Sequence, residues 1–242
     1  MASIEGRNPV IEAIKNDREI DKIMISNSAK EGSIKKIIAM AKEKNLVVQY
    51  VDKNKLDEIS TSHAHQGVIA QVSEYKYCEL DGLIDSVKEK GEDPFFIILD
   101  EITDPHNLGS IIRTAETAGV HGIIIPKRRN VAVNATVAKV STGATSYVKI
   151  ARVNNLNETI RKLKDSGLWV IGTDGDADTL YYNQDLKGPL AIIIGSEGFG
   201  MSKLVKENAD ILIKIPMKGK ITSLNASVSA GIVIYEAVKQ RM

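Results

Sequence analysis

Cysteine is nearly absent from this chain of 242 residues: Cys78 stands alone. That excludes a disulfide framework and a multi-cysteine zinc site. Aromatic residues make up only 5%, so rows of stacked rings are not the expected mode of recognition. No apolar run reaches the roughly 18 residues that a membrane-spanning helix needs. The opening MASIEGRNPV lacks the apolar core of a secretion signal, so a soluble, cytoplasmic protein is expected. Charge is nearly balanced, at +1 net, and a global basic footprint for nucleic acid is missing. What is present is ordinary globular composition, with 43% hydrophobic and 26% charged residues. The length allows one large domain or two small ones.

The distribution of charge says more than its sum. Residues 1–72 carry 11 Lys+Arg against 10 Asp+Glu. From Thr117 to Asn157 there are six basic residues (Lys127, Arg128, Arg129, Lys139, Lys149, Arg152) and no acid. From Ile211 to Tyr235 there are three lysines, Lys214, Lys218 and Lys220, again with no acid. These read either as solvated faces or as two strips facing an anion.

The first 72 residues alternate short helices and strands. Asn8–Asn16 fits a helix, with Asn8 as cap and Pro9 at the first helical position. Ser33–Lys44 is amphipathic. Residues 22–26, 46–51 and 67–72 read as strands. Residues 73–93 are polar and charge-rich, with one candidate helix at Leu80–Lys90, and read as a connector. Beyond them the rhythm is strand then helix. Strands are expected at 94–100, 122–126, 146–153, 168–174, 190–195 and 211–216, and helices at 107–118, 134–140, 155–166, 202–208 and 224–240. Several strands are continuous Ile/Val/Leu runs, the pattern of a parallel sheet buried on both faces. The fold class is therefore α/β with a parallel sheet, plus a small α/β amino-terminal domain.

In open α/β sheets ligands bind outside the carboxyl ends of the strands, and three strand ends are rich in Gly, Asn, Ser and charge. After the first comes DPHNLGSIIRTA (104–115). Asp104 and Asn107 suit a helix start, and Arg113, six residues on, is expected on roughly the same side as Asn107. It reads either as a surface arginine or as a phosphate clamp. GSEGFG (195–200) matches neither common phosphate-loop pattern, and Glu197 within it is either exposed or held by a helix start. IPMKGKITSLNAS (215–227) leads into the last helix, with Ser223 or Asn225 as cap; such a start also offers free N–H groups to a ligand. DGDAD (174–178) departs from a calcium loop, having Thr179 where a glycine is required, so no metal is expected. His63 and His65, in a polar turn before Gly67, read as structural or RNA-facing.

These three ordered segments resemble the motifs of the SpoU family of RNA 2′-O-ribose methyltransferases. EGRNPV (5–10) and HQGV (65–68) are similar to that family's substrate-binding domain. The resemblance covers essentially the whole chain. It implies S-adenosylmethionine as methyl donor, a trefoil knot in the methyltransferase domain (94–242), an RNA-binding domain at 1–72 and a homodimer. The substrate it implies is a ribose, a guanosine's, in large-subunit ribosomal RNA, with transfer RNA as the alternative. A non-catalytic RNA-binding relative is a further alternative, disfavoured by the intact motifs; a small-substrate metabolic enzyme is disfavoured by the extra amino-terminal unit. Carried over by position, the catalytic candidates are Asn107, Arg113, Glu197, Ser223 and Asn225. The donor-binding candidates are Thr173, Gly195, Gly200, Ile215 and Leu224. An arginine gives up its proton only above about pH 12, so Arg113 is read as a bidentate phosphate clamp. The proton acceptor is left unassigned.

Overall fold

The computed structural model describes residues 2–29, 31–73 and 75–242. The chain forms two compact units, Met1–Lys76 and Tyr77–Met242.

The first unit runs β1 (Ala2–Glu5), α1 (Arg7–Lys15), β2 (Ile20–Ser26), α2 (Ser33–Glu43), β3 (Val48–Val51), α3 (Lys53–Ile59) and β4 (Val68–Val72). The strands lie in the order β1-β4-β2-β3, parallel only between β2 and β3. Alternation along the strands sends side chains to opposite faces. Ile23, Ile25, Val68 and Ala70 pack with Val10, Ile14, Ile34 and Ile37 of α1 and α2. Met24 and Ile69 instead pack with Leu56 of α3.

Helix α1 starts at Arg7, two residues before the Pro9 that the sequence suggests as its first helical position. Gly6, at φ 93°, makes the turn into it, and no side chain caps it. Asn8 is therefore inside the helix rather than its cap. Pro9 sits third, still among the first four positions whose N–H groups have no helical acceptor. Strands β1 and helix α3 were not expected. One is four residues long, and the other buries only Leu56, too little for a periodic signal.

The second unit runs α4 (Leu80–Lys88), β5 (Phe95–Leu99), α5 (Pro105–Thr117), β6 (Gly122–Pro126), α6 (Ala135–Val140), β7 (Lys149–Val153), α7 (Leu156–Asp165), β8 (Trp169–Thr173), β9 (Thr179–Leu180), β10 (Leu190–Ile194), α8 (Lys203–Asn208), β11 (Ile211–Lys214) and α9 (Ala226–Arg241). A 3₁₀ turn at Ala144–Ser146 delays β7 relative to the expected strand at 146–153. The seven strands form one sheet in the order β7-β6-β5-β10-β8-β11-β9. Every neighbouring pair is parallel. Phe95–Leu99 and Leu190–Ile194 are buried at every position, as the unbroken apolar runs of central parallel strands require.

The division between the units falls inside the expected connector. Residues 77–93 belong to the second unit. Leu83, Ile84 and Val87 of α4 lie in the core with Phe96, Ile98 and Ala151. The Tyr77 hydroxyl accepts the Val133 N–H at 2.8 Å, the Arg152 guanidinium lies 5.2 Å from its ring centroid, and the Cys78 N–H donates to the Ile150 carbonyl at 3.0 Å. Burial of a side chain of this size is worth roughly 1.5–3 kcal/mol. A fragment starting at Tyr77 is expected to fold alone. One starting at Pro94 is expected to lose roughly 5 kcal/mol or more from those three residues, which denaturant titration of the two fragments would read. Equal stability would show α4 to be a mere tether.

Candidate active site

Strands β5 and β10 are neighbours, and the chain leaves them in opposite directions across the sheet: β6 and β7 extend one side, β8 and β11 the other. Such a reversal opens a crevice at the carboxyl edge. Here it is a cleft of about 400 Å³ lined by Glu101, Ile102, Thr103, Asp104, Asn107, Ser196, Glu197, Phe199 and Ala226.

Three segments far apart in sequence are tied together at this cleft. The Glu197 Oε1 atom accepts the Asn107 Nδ2–H at 2.8 Å, the Ala226 N–H at 3.2 Å and a short hydrogen bond from Asn225 Nδ2. Asn225 Nδ2 also donates to Asn107 Oδ1 at 2.9 Å. The carboxylate therefore sits at the start of α9, where unpaired N–H groups and the helix dipole favour negative charge. Asn225 caps that helix, its Oδ1 accepting the N–H groups of Ser227 at 2.9 Å and Val228 at 3.3 Å. Charge-assisted hydrogen bonds of this kind are about twice as strong as neutral ones. The network thus fixes the first turn of α5, the loop after β10 and the start of α9 against one another.

Asp104 caps α5, accepting the His106 N–H at 3.1 Å. Asn107, expected to share that work, turns away to Glu197 and is buried. Arg113 is exposed, and its side chain makes no hydrogen bond or ion pair among the described residues. It does not share a side with Asn107: six residues at about 100° each fall roughly 120° short of two full turns. Ser223 is also exposed, without a hydrogen-bond partner among the described residues. The structure thus brings Asn107, Glu197 and Asn225 together and leaves Arg113 and Ser223 facing solvent.

Three of the donor-binding candidates fall at the carboxyl edge of the sheet. Thr173 ends β8, Gly195 follows β10 and Ile215 follows β11. Thr173 Oγ1 donates to the Ile193 carbonyl at 2.9 Å, joining β8 to β10. Ile215 and Leu224 are half-buried. Residues 196–200 close a tight hairpin, with Ser196 N–H on Gly200 O at 2.9 Å and Gly200 N–H on Ser196 O at 3.0 Å. Gly198 and Gly200 have φ of 82° and 67°, which glycine adopts without cost. A Cβ on Gly195 would lie 2.3 Å from the Gly200 carbonyl carbon and 2.4 Å from Met201 N. That glycine is required by the closure of the hairpin itself. Asp100, buried at the end of β5, accepts the Ser202 N–H at 2.7 Å and anchors the far side of the loop.

The contributions of Glu101, Phe199 and Asp100 were not expected from sequence. Glu101 has φ 61°, and Arg129 pairs with it at 3.0 Å. Phe199 is 93% exposed at the tip of the hairpin. Of the six bases in the acid-free stretch, Arg129 and Arg152 are engaged within the fold. Lys127, Arg128, Lys139 and Lys149 have no ion pair among the described residues. In the DGDAD turn, Asp174 pairs with Lys206 at 2.8 Å and accepts the Asp176 N–H at 2.9 Å. Among the described residues no helix is long and apolar enough to cross a membrane.

Residues 94–235 match the SpoU rRNA methylase family. Residues 3–78 match the family described as RNA 2′-O ribose methyltransferase substrate binding. The chain is 52% identical over 236 residues to YacO of Bacillus subtilis (strain 168), named for the TrmH family of tRNA/rRNA methyltransferases, covering 98% of this chain and 94% of that one. A protein of the same family name from Staphylococcus saprophyticus is 48% identical over 238 residues, covering 98% and 95%. Among solved structures, the SpoU methyltransferase AviRb from Streptomyces viridochromogenes in complex with AdoMet has a TM-score of 0.62 at 23% identity, over 98% of this chain and 89% of that one. An AdoMet-bound rRNA methyltransferase from Sinorhizobium meliloti has a TM-score of 0.61 at 24% identity, over 99% and 87%. At these identities the likeness is one of fold.

Proposed function

The chain belongs to the SpoU rRNA methylase family, and from that premise we propose that it transfers the methyl group of S-adenosylmethionine to a ribose 2′-oxygen, a guanosine's, in large-subunit ribosomal RNA. The observation that carries this reading is the Asn107–Glu197–Asn225 network, which joins two helix starts and the loop after β10 beside an open cleft.

The residues at the carboxyl edge fit a nucleoside donor. Thr173, Gly195, Gly200, Ile215 and Leu224 would hold it, offering main-chain polar groups on the hairpin and half-buried apolar surface beside it. Bound there, the sulfonium supplies an electrophilic methyl carbon; the new bond is O–CH₃, the bond broken is S–CH₃, and its electron pair stays on sulfur. The chain's own contribution is positioning, which supplies several kcal/mol in a reaction of this type. The carboxylate–amide network holds the cleft wall rigid. Arg113, whose side chain has no partner among the described residues, clamps a phosphate of the target nucleotide through its planar fork. The 2′-hydroxyl proton leaves to an acceptor that this reading does not assign.

The proposal includes the homodimer, supported by Val228 and Tyr235, each 49% exposed and seven residues apart on one face of α9. It also includes the knotted path, which rests on the family membership alone. RNA from a strain lacking this protein, incubated with pure protein and labelled S-adenosylmethionine, provides the test. Label is expected in the large ribosomal RNA. Label in transfer RNA alone would replace the substrate, and no label in either would remove the activity. Light scattering on the same preparation reads the dimer, which a monomer mass would remove.

A further inference from the structure

We propose that the first unit carries a cleft for one unstacked nucleotide of single-stranded RNA, gripped by Arg7, Lys53 and His63 with the hydroxyls of Ser26 and Ser28 beside them. This rests on the RNA-substrate reading above and gives that reading a specific contact surface. The cleft lies wholly within the first unit and has a volume of about 380 Å³. That is the scale of a small-ligand site rather than of a duplex groove.

The donors are arranged so that their outward-facing groups are unspent. Arg7 opens α1, and its Nε–H donates to the Gln66 carbonyl at 3.1 Å while its backbone N–H donates to Gln66 Oε1 at 3.2 Å. One edge of the guanidinium is thereby fixed, and its two terminal nitrogens have no partner among the described residues. Lys53, first residue of α3, makes no hydrogen bond among them either, nor does the His63 ring. The Ser26 and Ser28 hydroxyls touch each other at 2.8 Å.

The one carboxylate in the lining is already engaged. His65 is buried and its Nδ1 accepts the Gly67 N–H at 3.0 Å. Its proton is therefore on Nε2, which donates to Asp57 Oδ1 at 2.8 Å. That hydrogen bond, with the charge of Lys53 nearby, holds the Asp57 pKa below its ordinary value. Two cations, Arg7 and Lys53, thus face one occupied carboxylate, and the balance favours an anionic ligand.

The wall carrying His63 is also held in shape. Glu5 accepts from Ser60 Oγ at 2.6 Å, Thr61 N–H at 2.7 Å and Thr61 Oγ1 at 2.9 Å, which lowers its pKa to about 2. The turn stays stapled at any pH above that range, leaving His63 at φ 54°. No Phe, Tyr or Trp lines the cleft among the described residues. A base entering it would lie on the flat guanidinium of Arg7, a mode that unstacked RNA bases use. A phosphodiester would meet Lys53 and His63, and the exposed Ser28 hydroxyl, held by buried Ser26, would meet a sugar.

The test uses the full chain, a labelled short single-stranded RNA of mixed sequence, and fluorescence anisotropy across a salt series. Arg7→Gln and Lys53→Gln are each expected to weaken binding by roughly 5- to 10-fold and to lower the salt slope by about one. Lys36→Gln, the same charge change on the exposed face of α2, is expected to stay within about twofold. S-adenosylmethionine affinity, read by calorimetry, is expected to be unchanged in all three. Wild-type RNA affinity and salt slope in both cleft variants would overturn the proposal. So would competition by inorganic phosphate or an acidic peptide as effective as that by unlabelled RNA, which would make the cleft a general anion site or a protein-docking site. A wild-type protein that binds RNA through the cleft but transfers no methyl group would support the cleft while removing the enzymatic reading. One that methylates RNA while the cleft variants bind normally would remove the cleft alone.

Discussion

Replacing Arg113 with lysine is expected to lower methyl transfer by roughly 100-fold or more, the scale of misplacing a reacting group. Fold and S-adenosylmethionine affinity should be unchanged. The side chain is exposed and makes no hydrogen bond or ion pair among the described residues, so its removal costs the fold nothing that these contacts supply. Charge is retained in the lysine variant. What is lost is the planar fork that holds two phosphate oxygens at once. Three outcomes are distinguishable by the pH–rate profile. A low rate with an unaltered profile supports the clamp. A substantial rate that rises with pH would make this position a base, because a lysine gives up its proton more readily. A near-wild-type rate would remove Arg113 from the site.

Gly195→Val is expected to damage both donor binding and stability. The added Cβ would lie within 2.3–2.6 Å of the backbone of Gly200 and Met201. Backbone atoms cannot rotate aside as a long side chain can, so relief requires opening the 196–200 hairpin. Overpacking usually costs 1–3 kcal/mol, occasionally more, and here a loss of about 3 kcal/mol or more is expected. The hairpin also carries Glu197, so opening it pulls the carboxylate from Asn107 and Asn225. Denaturant titration and calorimetry read the two effects separately. A stable variant that binds donor normally would show that the close approach at Gly195 is not what shapes the site.

The fold was legible where composition and periodicity carry the burial. Phe95–Leu99 and Leu190–Ile194 announce buried parallel strands by unbroken apolar runs. Ser33–Glu43 announces a helix by its spacing. Short elements were not legible, because four residues in β1 and one buried side chain in α3 produce no period. The order of the strands was not legible either. Nothing local places β10 between β5 and β8, a pairing set by the whole sheet.

The site shows the same limit. Asn225 reads as a helix cap from its own surroundings, and it caps. Its second role, donating to Asn107 and Glu197, joins residues 118 and 28 positions away, and spacing along a chain carries no such signal. Only the resemblance of three ordered motifs grouped these residues beforehand. It did not show that Asn107 and Arg113 point to different sides. The cleft in the first unit depends on which His65 nitrogen carries a proton and on a loop stapled by Glu5, 55–57 residues away.

The central claim is that this network organises transfer to a ribose oxygen. It is tested most directly by locating the label on RNA methylated in vitro by the wild type and by Asn225→Ala. The account predicts one position resistant to alkaline hydrolysis, as a blocked 2′-oxygen must be, present with the wild type and absent or strongly reduced with the variant. Label on a base, or equal labelling by the variant, would contradict it.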